Sequence, residues 1–265
     1  MFNMELKNKI VYFISDQFPV DLTHAFTTRN TGKTPPPLDS FSLGTGQYRS
    51  YKDLVLENRQ NLCLTLGMNF KHLILADQVH GCNVEVITEY TESNGTVYVP
   101  QTDALVTNLK GLPLLLLFAD CTPLLFYDPI KKVLGIAHAG WKGTSQEIGP
   151  KTVQKMIEMF HCNARDIIAG IGPCIDHCCF EVSLDVAEQI LKSVYEDQIS
   201  DTIVTYKHNK AYLSLKQINA FQLENIGVQQ IDMAEKCTAC STDMFFSHRK
   251  AQGKTGRHGL IAQIH

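Results

Sequence analysis

The amino-acid sequence predicts an α+β fold in which helices cover mixed β-sheets. Strand-like apolar runs dominate residues 72–139, whereas helical spacing and strands alternate later in the chain. The 265 residues are 44% hydrophobic, which is enough to bury a sizeable core. Because no internal repeat or clean linker divides the chain, we expect a single domain over residues 1–265.

The first part of the chain predicts two strands, a loop and a helix. Apolar runs at 9–15 and 24–29 are typical of strands. The segment 31–46 is rich in Pro, Gly and Ser and predicts a long loop, a feature that is often functional inside a compact domain. Apolar residues at helical spacing follow and stop at Gly67, so we expect a helix over 51–67.

The middle of the chain predicts a block of strands. Their expected ranges are 72–80, 83–89, 103–108, 112–120, 123–128 and 133–139.

The last part of the chain mixes helices and strands. We expect one helix from Pro150 to Phe160, with Pro150 in its first turn, and another over 183–197 with Ser183 as N-cap. A further helix should end near Gly227. The other predicted strands are 166–172, 211–215, 228–234, 244–249 and 259–265.

Charge and cysteine usage exclude several classes of protein. The net charge of −3 gives no basic field for nucleic acid. The nine cysteines show no small disulfide framework, so we expect reduced thiols and a cytoplasmic protein. The longest uncharged apolar stretch, 111–119, is too short to cross a membrane, and the charged N-terminal segment does not resemble a signal peptide.

Three potential metal ligands follow apolar strand patterns. His80, Cys121 and His138 each lie at the C-terminal end of such a run, where ligands often bind. Two imidazoles and one thiolate suit Zn²⁺, and three protein ligands leave a fourth position open, as in catalytic zinc sites. Strand-end histidines and buried cysteines also occur without a ligand, so spacing alone leaves both interpretations open. A glycine close after each histidine would allow a ligand to approach closely.

A second group of cysteines offers a rival metal site. Cys237 and Cys240 form a C-x-x-C motif, and Cys174, Cys178 and Cys179 lie earlier in the chain. A lone C-x-x-C is a weak indication of zinc. Without a second such motif, we favour a packing or peripheral role for these thiols.

Five basic residues and two aspartates complete the set of candidates. Any two cations that converge near the metal would form an anion subsite, and the candidates are Arg29, Arg59, Lys142, Arg249 and Arg257. Asp120, next to Cys121, and Asp103 are candidates for orienting a ligand or transferring a proton, although either could equally be a turn residue.

Several motifs together resemble the bacterial laccase-domain (multicopper polyphenol oxidase-like) family. They are THAFTTR, ENR, DQVHG, DALVT, ADCTPLLFYDP, AHAGWKGT, GPCI…CCFEV, CT…FFSHRK and TGR, which run from Thr23 to Arg257. The pairing of ADC with HAGWKG is the most specific part. Members of this family are also described as purine nucleoside phosphorylases or peptidoglycan editing factors.

The resemblance implies a fold, a metal and a reaction. The fold would be a three-layer α/β/α arrangement with mixed sheets, the cysteine-hydrolase-like laccase-domain fold. Zinc would be held by His80, Cys121 and His138. The reactions would be phosphorolysis of adenosine, inosine, guanosine and methylthioadenosine, and deamination of adenosine.

We combine the resemblance with the residue chemistry to assign roles. Cys121, His138 and Asp120 are the expected catalytic residues. The expected substrate-binding residues are Arg29, Arg59, Lys142 and Arg249. The sequence departs from the family's pattern at Lys142, where Arg is usual, at Phe180 and His248, where Tyr is usual, and at Ser42, where Asn is usual. These departures bear on substrate preference rather than on the metal ligands.

The sequence is also compatible with three other functions. A copper-dependent polyphenol oxidoreductase would need a further histidine-rich cluster, and the chain has ten histidines without an H-x-H pair. A metal-free cysteine hydrolase would use Cys121 as nucleophile and His138 as base. A peptidoglycan-precursor editing factor would act as a partner-binding scaffold whose cellular role survives loss of the three ligands.

Overall fold

A computed structural model of the chain describes residues 1–92 and 97–265. These residues form sixteen strands and five α-helices. The strands are β1 (Phe2–Lys7), β2 (Ile10–Ser15), β3 (Leu22–Thr27), β4 (Ile74–Ala76), β5 (Val84–Ile87), β6 (Val97–Val99), β7 (Ala104–Thr107), β8 (Leu114–Phe118), β9 (Thr122–Asp128), β10 (Val133–Ala139), β11 (Ile168–Ile171), β12 (Glu181–Val182), β13 (Val204–Lys207), β14 (Lys210–Leu213), β15 (Gln230–Met233) and β16 (His258–Ile264). The helices are α1 (Lys52–Leu66), α2 (Trp141–Ser145), α3 (Ile148–Phe160), α4 (Leu184–Leu191) and α5 (Leu215–Asn225).

The strands form two large mixed sheets and one small sheet. The seven-stranded sheet has the order β1-β2-β3-β16-β8-β4-β6, in which β4 runs parallel to β8 and β6 while the other pairs are antiparallel. The six-stranded sheet has the order β15-β11-β9-β10-β7-β5, with parallel pairs at both edges. The order of the small sheet is β12-β14-β13.

The main core lies between the two large sheets. Leu116 of β8 and Leu260 of β16 belong to the same buried cluster as Leu125 of β9 and Ile136 of β10, so the sheets pack face to face. Helix α1 covers the outer face of the seven-stranded sheet, and α3 and α5 cover that of the six-stranded sheet. The predicted α+β class with mixed sheets is therefore confirmed, and its β layer consists of two sheets.

Most predicted elements are present, with shifted ends. Helix α1 ends where expected, since Gly67 takes the left-handed conformation (φ 72°) that closes a helix. Helix α4 is shorter than predicted. Beyond Leu191 the backbone N–H groups of Ser193 and Val194 donate to the carbonyls three residues back, at 3.1 and 3.3 Å, and the Ser193 hydroxyl also donates to Ile190 at 2.6 Å. Ser183 stands at the N-cap position of α4 without a capping side-chain hydrogen bond.

The prediction of a strand over 244–249 is wrong. This segment forms turns because its polar groups bond to Asp120 rather than to a neighbouring strand: the Ser247 hydroxyl and the Arg249 backbone N–H both donate to that carboxylate. The sequence also failed to predict β1, β6, β12, β13 and α2. Within the described ranges, no helix combines the length and the apolar character needed to cross a membrane.

Candidate metal centre and active site

The two large sheets bring the three predicted ligands together at one end of their interface. His80 follows β4 in the seven-stranded sheet, and His138 is the penultimate residue of β10 in the six-stranded sheet. Cys121 lies in the short connection by which β8 passes into β9, that is, from one sheet to the other. One ligand atom from each side chain lies within 4.8 Å of the other two. The predicted grouping is therefore present.

Asp103 fixes the positions of both histidines. Its buried carboxylate accepts hydrogen bonds from Nδ1 of His138 (2.8 Å) and from the backbone N–H groups of His80 (3.0 Å) and Gly81 (2.7 Å). Burial opposes ionisation of Asp103, but the hydrogen bonds from His138 and Gly81 outweigh it and lower its pKa. Because Nδ1 of His138 is engaged by Asp103, Nε2 is the ring nitrogen available to Cys121 or to a metal.

Cys121 and His138 form a coupled pair. Burial by itself would raise the pKa of the Cys121 thiol, but the charge of His138 and the hydrogen bonds that His138 and His80 donate to the thiolate lower it to about 6. Burial would likewise lower the pKa of His138, whereas the charge of Cys121 and the bond to Asp103 raise it to about 9. The pair therefore holds a thiolate at neutral pH, which is the form that binds metal or attacks an electrophile.

Asp120 holds the connection between the two sheets in an unusual conformation. Its φ of 91° lies in the left-handed region that residues with a side chain rarely occupy. The carboxylate accepts bonds from the hydroxyls of Thr238 (2.7 Å) and Ser247 (3.0 Å) and from the backbone N–H of Arg249 (2.7 Å). These bonds stabilise the bend that presents Cys121 to the two histidines.

Gly140 allows the three ligands to approach one another. In the β9–β10 hairpin, Thr122 pairs with Ala139, so the next pair along the hairpin sets Cys121 opposite Gly140. A Cβ atom added at Gly140 would lie 3.1 Å from Sγ of Cys121 and 3.2 Å from Cδ2 of His80. A larger residue at this position would push the ligands apart.

A cavity of about 570 Å³ opens beside the three ligands. Three of the five basic candidates line it: Arg59, Arg249 and Arg257. Burial lowers the pKa of Arg257, and the charges of Cys121 and Asp120 oppose that shift, so this guanidinium interacts electrostatically with both residues. Residues 44–46 of the long loop also line the cavity.

Arg29 and Lys142, both predicted to bind substrate, are not among the cavity-lining residues. The Arg29 guanidinium pairs with Asp39 (3.2 Å), donates to the carbonyls of Asp39 and Thr242, and lies over the ring of Phe246. The exposed Lys142 ammonium lies 5.6 Å from the ring centroid of Trp141. In the structure, Arg29 thus makes fold contacts and Lys142 faces solvent.

Two aromatic residues on the cavity surface, Tyr98 and Trp141, were not predicted as site residues. Phe180, which was noted only as a departure from the family's pattern, also lines the cavity. Trp141 could have been singled out, because it is the only tryptophan in the chain and directly follows the HAG motif. Tyr98 sits on the three-residue strand β6, whose short pattern gave no such indication.

The donor set fits a zinc ion. Two imidazole nitrogens and one thiolate are within mutual reach, the thiolate is favoured by its surroundings, and Asp103 orients His138 as carboxylates commonly do behind zinc ligands. The cavity lies on the open side, where a fourth ligand would enter.

The second group of cysteines is also brought together. Sγ atoms of Cys178, Cys179, Cys237 and Cys240 all lie within 4.8 Å of one another, while Cys174 is not part of this group. The adjacent Cys178 and Cys179 supply the second pair that the sequence analysis found missing.

A family model described as multi-copper polyphenol oxidoreductase laccase matches residues 23–265. The chain belongs to this laccase family. The predicted resemblance is thereby confirmed.

Two curated relatives and one solved structure show how similar this laccase-family chain is to other members. A Bacillus subtilis protein named purine nucleoside phosphorylase YlmD is 36% identical over 88% of this chain and 84% of its own. A protein from an unknown prokaryotic organism, named adenosine deaminase RL5, is 31% identical over 77% of this chain and 79% of its own. The crystal structure of the hypothetical protein YfiH from Bacillus licheniformis superposes with a TM-score of 0.91 at 33% identity, covering 100% of this chain and 99% of that one.

Proposed function

We propose that this chain is a zinc-dependent purine nucleoside phosphorylase that also deaminates adenosine. The observation that carries the proposal is the three-ligand centre of His80, Cys121 and His138, which is open towards a cavity of about 570 Å³. The names of the relatives, purine nucleoside phosphorylase and adenosine deaminase, support nucleosides as the substrate class. They lend no support to copper or to polyphenol oxidation.

The size and lining of the cavity suit a nucleoside together with an anion. Trp141, Phe180 and Tyr98 offer flat apolar surfaces for a purine base. Arg59, Arg249 and Arg257 offer guanidinium groups, whose planar donors match phosphate. We expect adenosine, inosine, guanosine and methylthioadenosine to fit, since they share the purine and the ribose.

During phosphorolysis, some residues of the chain would bind phosphate and others would orient the reacting groups. Phosphate, held by the arginines, forms a new C–O bond at C1′ of the ribose while the bond from C1′ to the purine nitrogen breaks, and the departing base takes up a proton. Zinc, when bound, supplies a Lewis acid beside the reacting atoms. Asp103 keeps His138 oriented, and Asp120 keeps the Cys121 backbone bent towards the site. We therefore assign Asp120 a positioning role rather than the proton transfer considered for it.

The first test compares two products in the same samples. In zinc-loaded protein, inosine and free base should form from adenosine, and only base release should require phosphate. His80→Ala and His138→Ala should abolish both activities, whereas the exposed His208→Ala serves as the control. A ligand variant that lost one activity and kept the other at the wild-type rate would contradict a shared centre.

The arginines can be separated by the same assay. Arg59→Met, Arg249→Met and Arg257→Met are compared with Lys142→Met, whose side chain does not line the cavity. At least one of the three arginine variants should lose phosphorolysis by tenfold or more relative to deamination, because only phosphorolysis must hold a phosphate dianion.

One observation favours a second candidate, a metal-free cysteine hydrolase. Cys121, His138 and Asp103 also have the arrangement of a nucleophile, a base and an orienting carboxylate, and the thiol pKa is lowered to about 6. Strong chelation separates the two candidates. Activity that survives metal removal and is destroyed by a thiol alkylator would establish the cysteine hydrolase instead.

A further inference from the structure

Four cysteines outside the catalytic centre converge from two loops. Strands β11 and β15 are parallel neighbours, so the loops that leave their C-terminal ends meet at the same side of the sheet. The first loop carries Cys178 and Cys179, and the second carries Cys237 and Cys240. A backbone bridge between Cys174 and Cys237 extends the pairing and holds the loops in register.

The distances between the sulfur atoms suit a shared metal ion. Sγ of Cys240 lies 3.6 Å from Sγ of Cys178 and 3.4 Å from Sγ of Cys179. Four sulfurs placed tetrahedrally around zinc, with Zn–S bonds of about 2.3 Å, are separated from one another by about 3.8 Å. The group is therefore close to the geometry that zinc requires, before any rearrangement.

We propose that Cys178, Cys179, Cys237 and Cys240 form a second, structural zinc site. Four thiolates close the coordination sphere, which is the arrangement of structural rather than catalytic zinc. This inference goes beyond the proposed function, because it concerns neither the nucleoside nor the catalytic ligands.

One backbone donor is already in place beside a sulfur atom of this group. The backbone N–H of Asp176 donates to Sγ of Cys237 at 3.4 Å, a contact of the kind that supports a metal-bound sulfur.

A metal at this place would fix one side of the catalytic cavity. The Arg249 guanidinium donates to the carbonyls of Cys179 (3.1 Å) and Glu181 (3.0 Å) and lies over the ring of Phe180. Both Arg249 and Phe180 line the cavity. From the other loop, Thr238 donates to Asp120 at 2.7 Å, next to the catalytic cysteine. Zinc would join these two loops and so fix the positions of Arg249 and Asp120 relative to each other.

The first experiment measures zinc in the full chain, purified under reducing conditions without added metal. We expect two zinc ions per chain in the wild type. Cys178→Ser and Cys240→Ser should each halve the content, and Cys121→Ala should remove the other ion. The matched control is Cys82→Ser, because Cys82 is a half-buried cysteine outside both groups. A wild type with a single zinc that disappears in Cys121→Ala would overturn the proposal.

The second experiment uses the visible spectrum of bound Co²⁺ and does not depend on variants of the four cysteines. The Cys121→Ala chain loaded with Co²⁺ should show the intense absorption of a tetrahedral four-thiolate site, and chelation should lower its melting temperature. Absence of that spectrum would overturn the proposal, as would disulfide bonds among the four cysteines, detected by alkylation and mass measurement without reductant. Nucleoside turnover is not part of either readout, so failure of the proposed function and failure of this site are distinguishable.

Discussion

At the scale of single residues, the geometry of the candidate metal centre depends on the absence of a side chain at Gly140. Its φ of −71° is accessible to any residue, so glycine is not needed there for backbone conformation. The need is steric, because an added Cβ would press on both Cys121 and His80.

Gly140→Ala should therefore weaken zinc binding without unfolding the protein. Overpacking of this kind costs about 1–3 kcal/mol, so we expect zinc affinity to fall by about fivefold to a hundredfold. A competitive chelator titration measures the change. Gly81→Ala is the matched control, since a Cβ at Gly81 would meet only ordinary contacts, at 3.5 Å and beyond. Equal affinities in the two variants would show that Gly140 does not set the ligand spacing.

At the scale of elements, the backbone conformation is most restricted in the connection between β8 and β9. It crosses from one sheet to the other and must hold Asp120 at a φ of 91°. Both carboxylate oxygens of Asp120 are used: Oδ1 accepts from Thr238, and Oδ2 accepts from Ser247 and Arg249. The bend is thus stabilised by segments that lie far away in the sequence.

Asp120→Asn should lower the free energy of unfolding by about 1–3 kcal/mol, because an amide has one acceptor oxygen and leaves at least one buried donor unpaired. Asp128→Asn, at the opposite end of β9, should lower the free energy of unfolding by less. The backbone N–H groups of Ile130 and Lys131 both donate to the same oxygen of Asp128, and an amide oxygen can still accept both bonds. Urea unfolding of both variants provides the comparison. The pH profile of turnover should keep its shape in Asp120→Asn, and a lost ionisation would instead indicate proton transfer by Asp120.

Elements with a clear local sequence pattern could be predicted, whereas elements and contacts that depend on distant segments could not. Strands β8, β9 and β10 are buried on both faces, so their continuous apolar runs were predictable. The two-residue β12 and the mostly exposed β13 have no such pattern. The roles of Asp103 and Asp120 could not be chosen from sequence, because their partners come from distant segments. The same holds for the four-cysteine group, whose second pair is an adjacent C-C rather than a C-x-x-C.

At the scale of the whole molecule, buried histidines connect stability to pH. His24 in β3 accepts a hydrogen bond from the backbone N–H of Ser15 at Nε2 (2.9 Å), which requires the neutral ring. Burial lowers its pKa from 6.5 to about 4. Between these values the unfolded chain binds a proton that the folded protein does not, so stability falls as the pH falls below 6.5.

Replacing His24 should therefore make the free energy of unfolding depend less on pH below 6.5. From pH 7 to pH 5, the wild type should lose about 2 kcal/mol more than His24→Gln, as the shift in pKa requires. The measurement is urea unfolding at both pH values, with the exposed His208→Gln as control. If wild type and His24→Gln differed in free energy of unfolding by the same amount at pH 7 and pH 5, the titration of His24 would not contribute to the pH dependence of stability.

The position of β16 within the seven-stranded sheet has a consequence for biosynthesis. β16 follows every other strand in chain order, yet it lies between β3 and β8. On the ribosome, His80, Cys121 and His138 are therefore translated long before the strand that joins the two halves of this sheet. Until residues 258–264 emerge, β3 and β8 each expose an unpaired edge. The nascent chain thus presents the three candidate ligands before the sheet that positions them is closed, so we expect their grouping to form only after residues 258–264 have been translated.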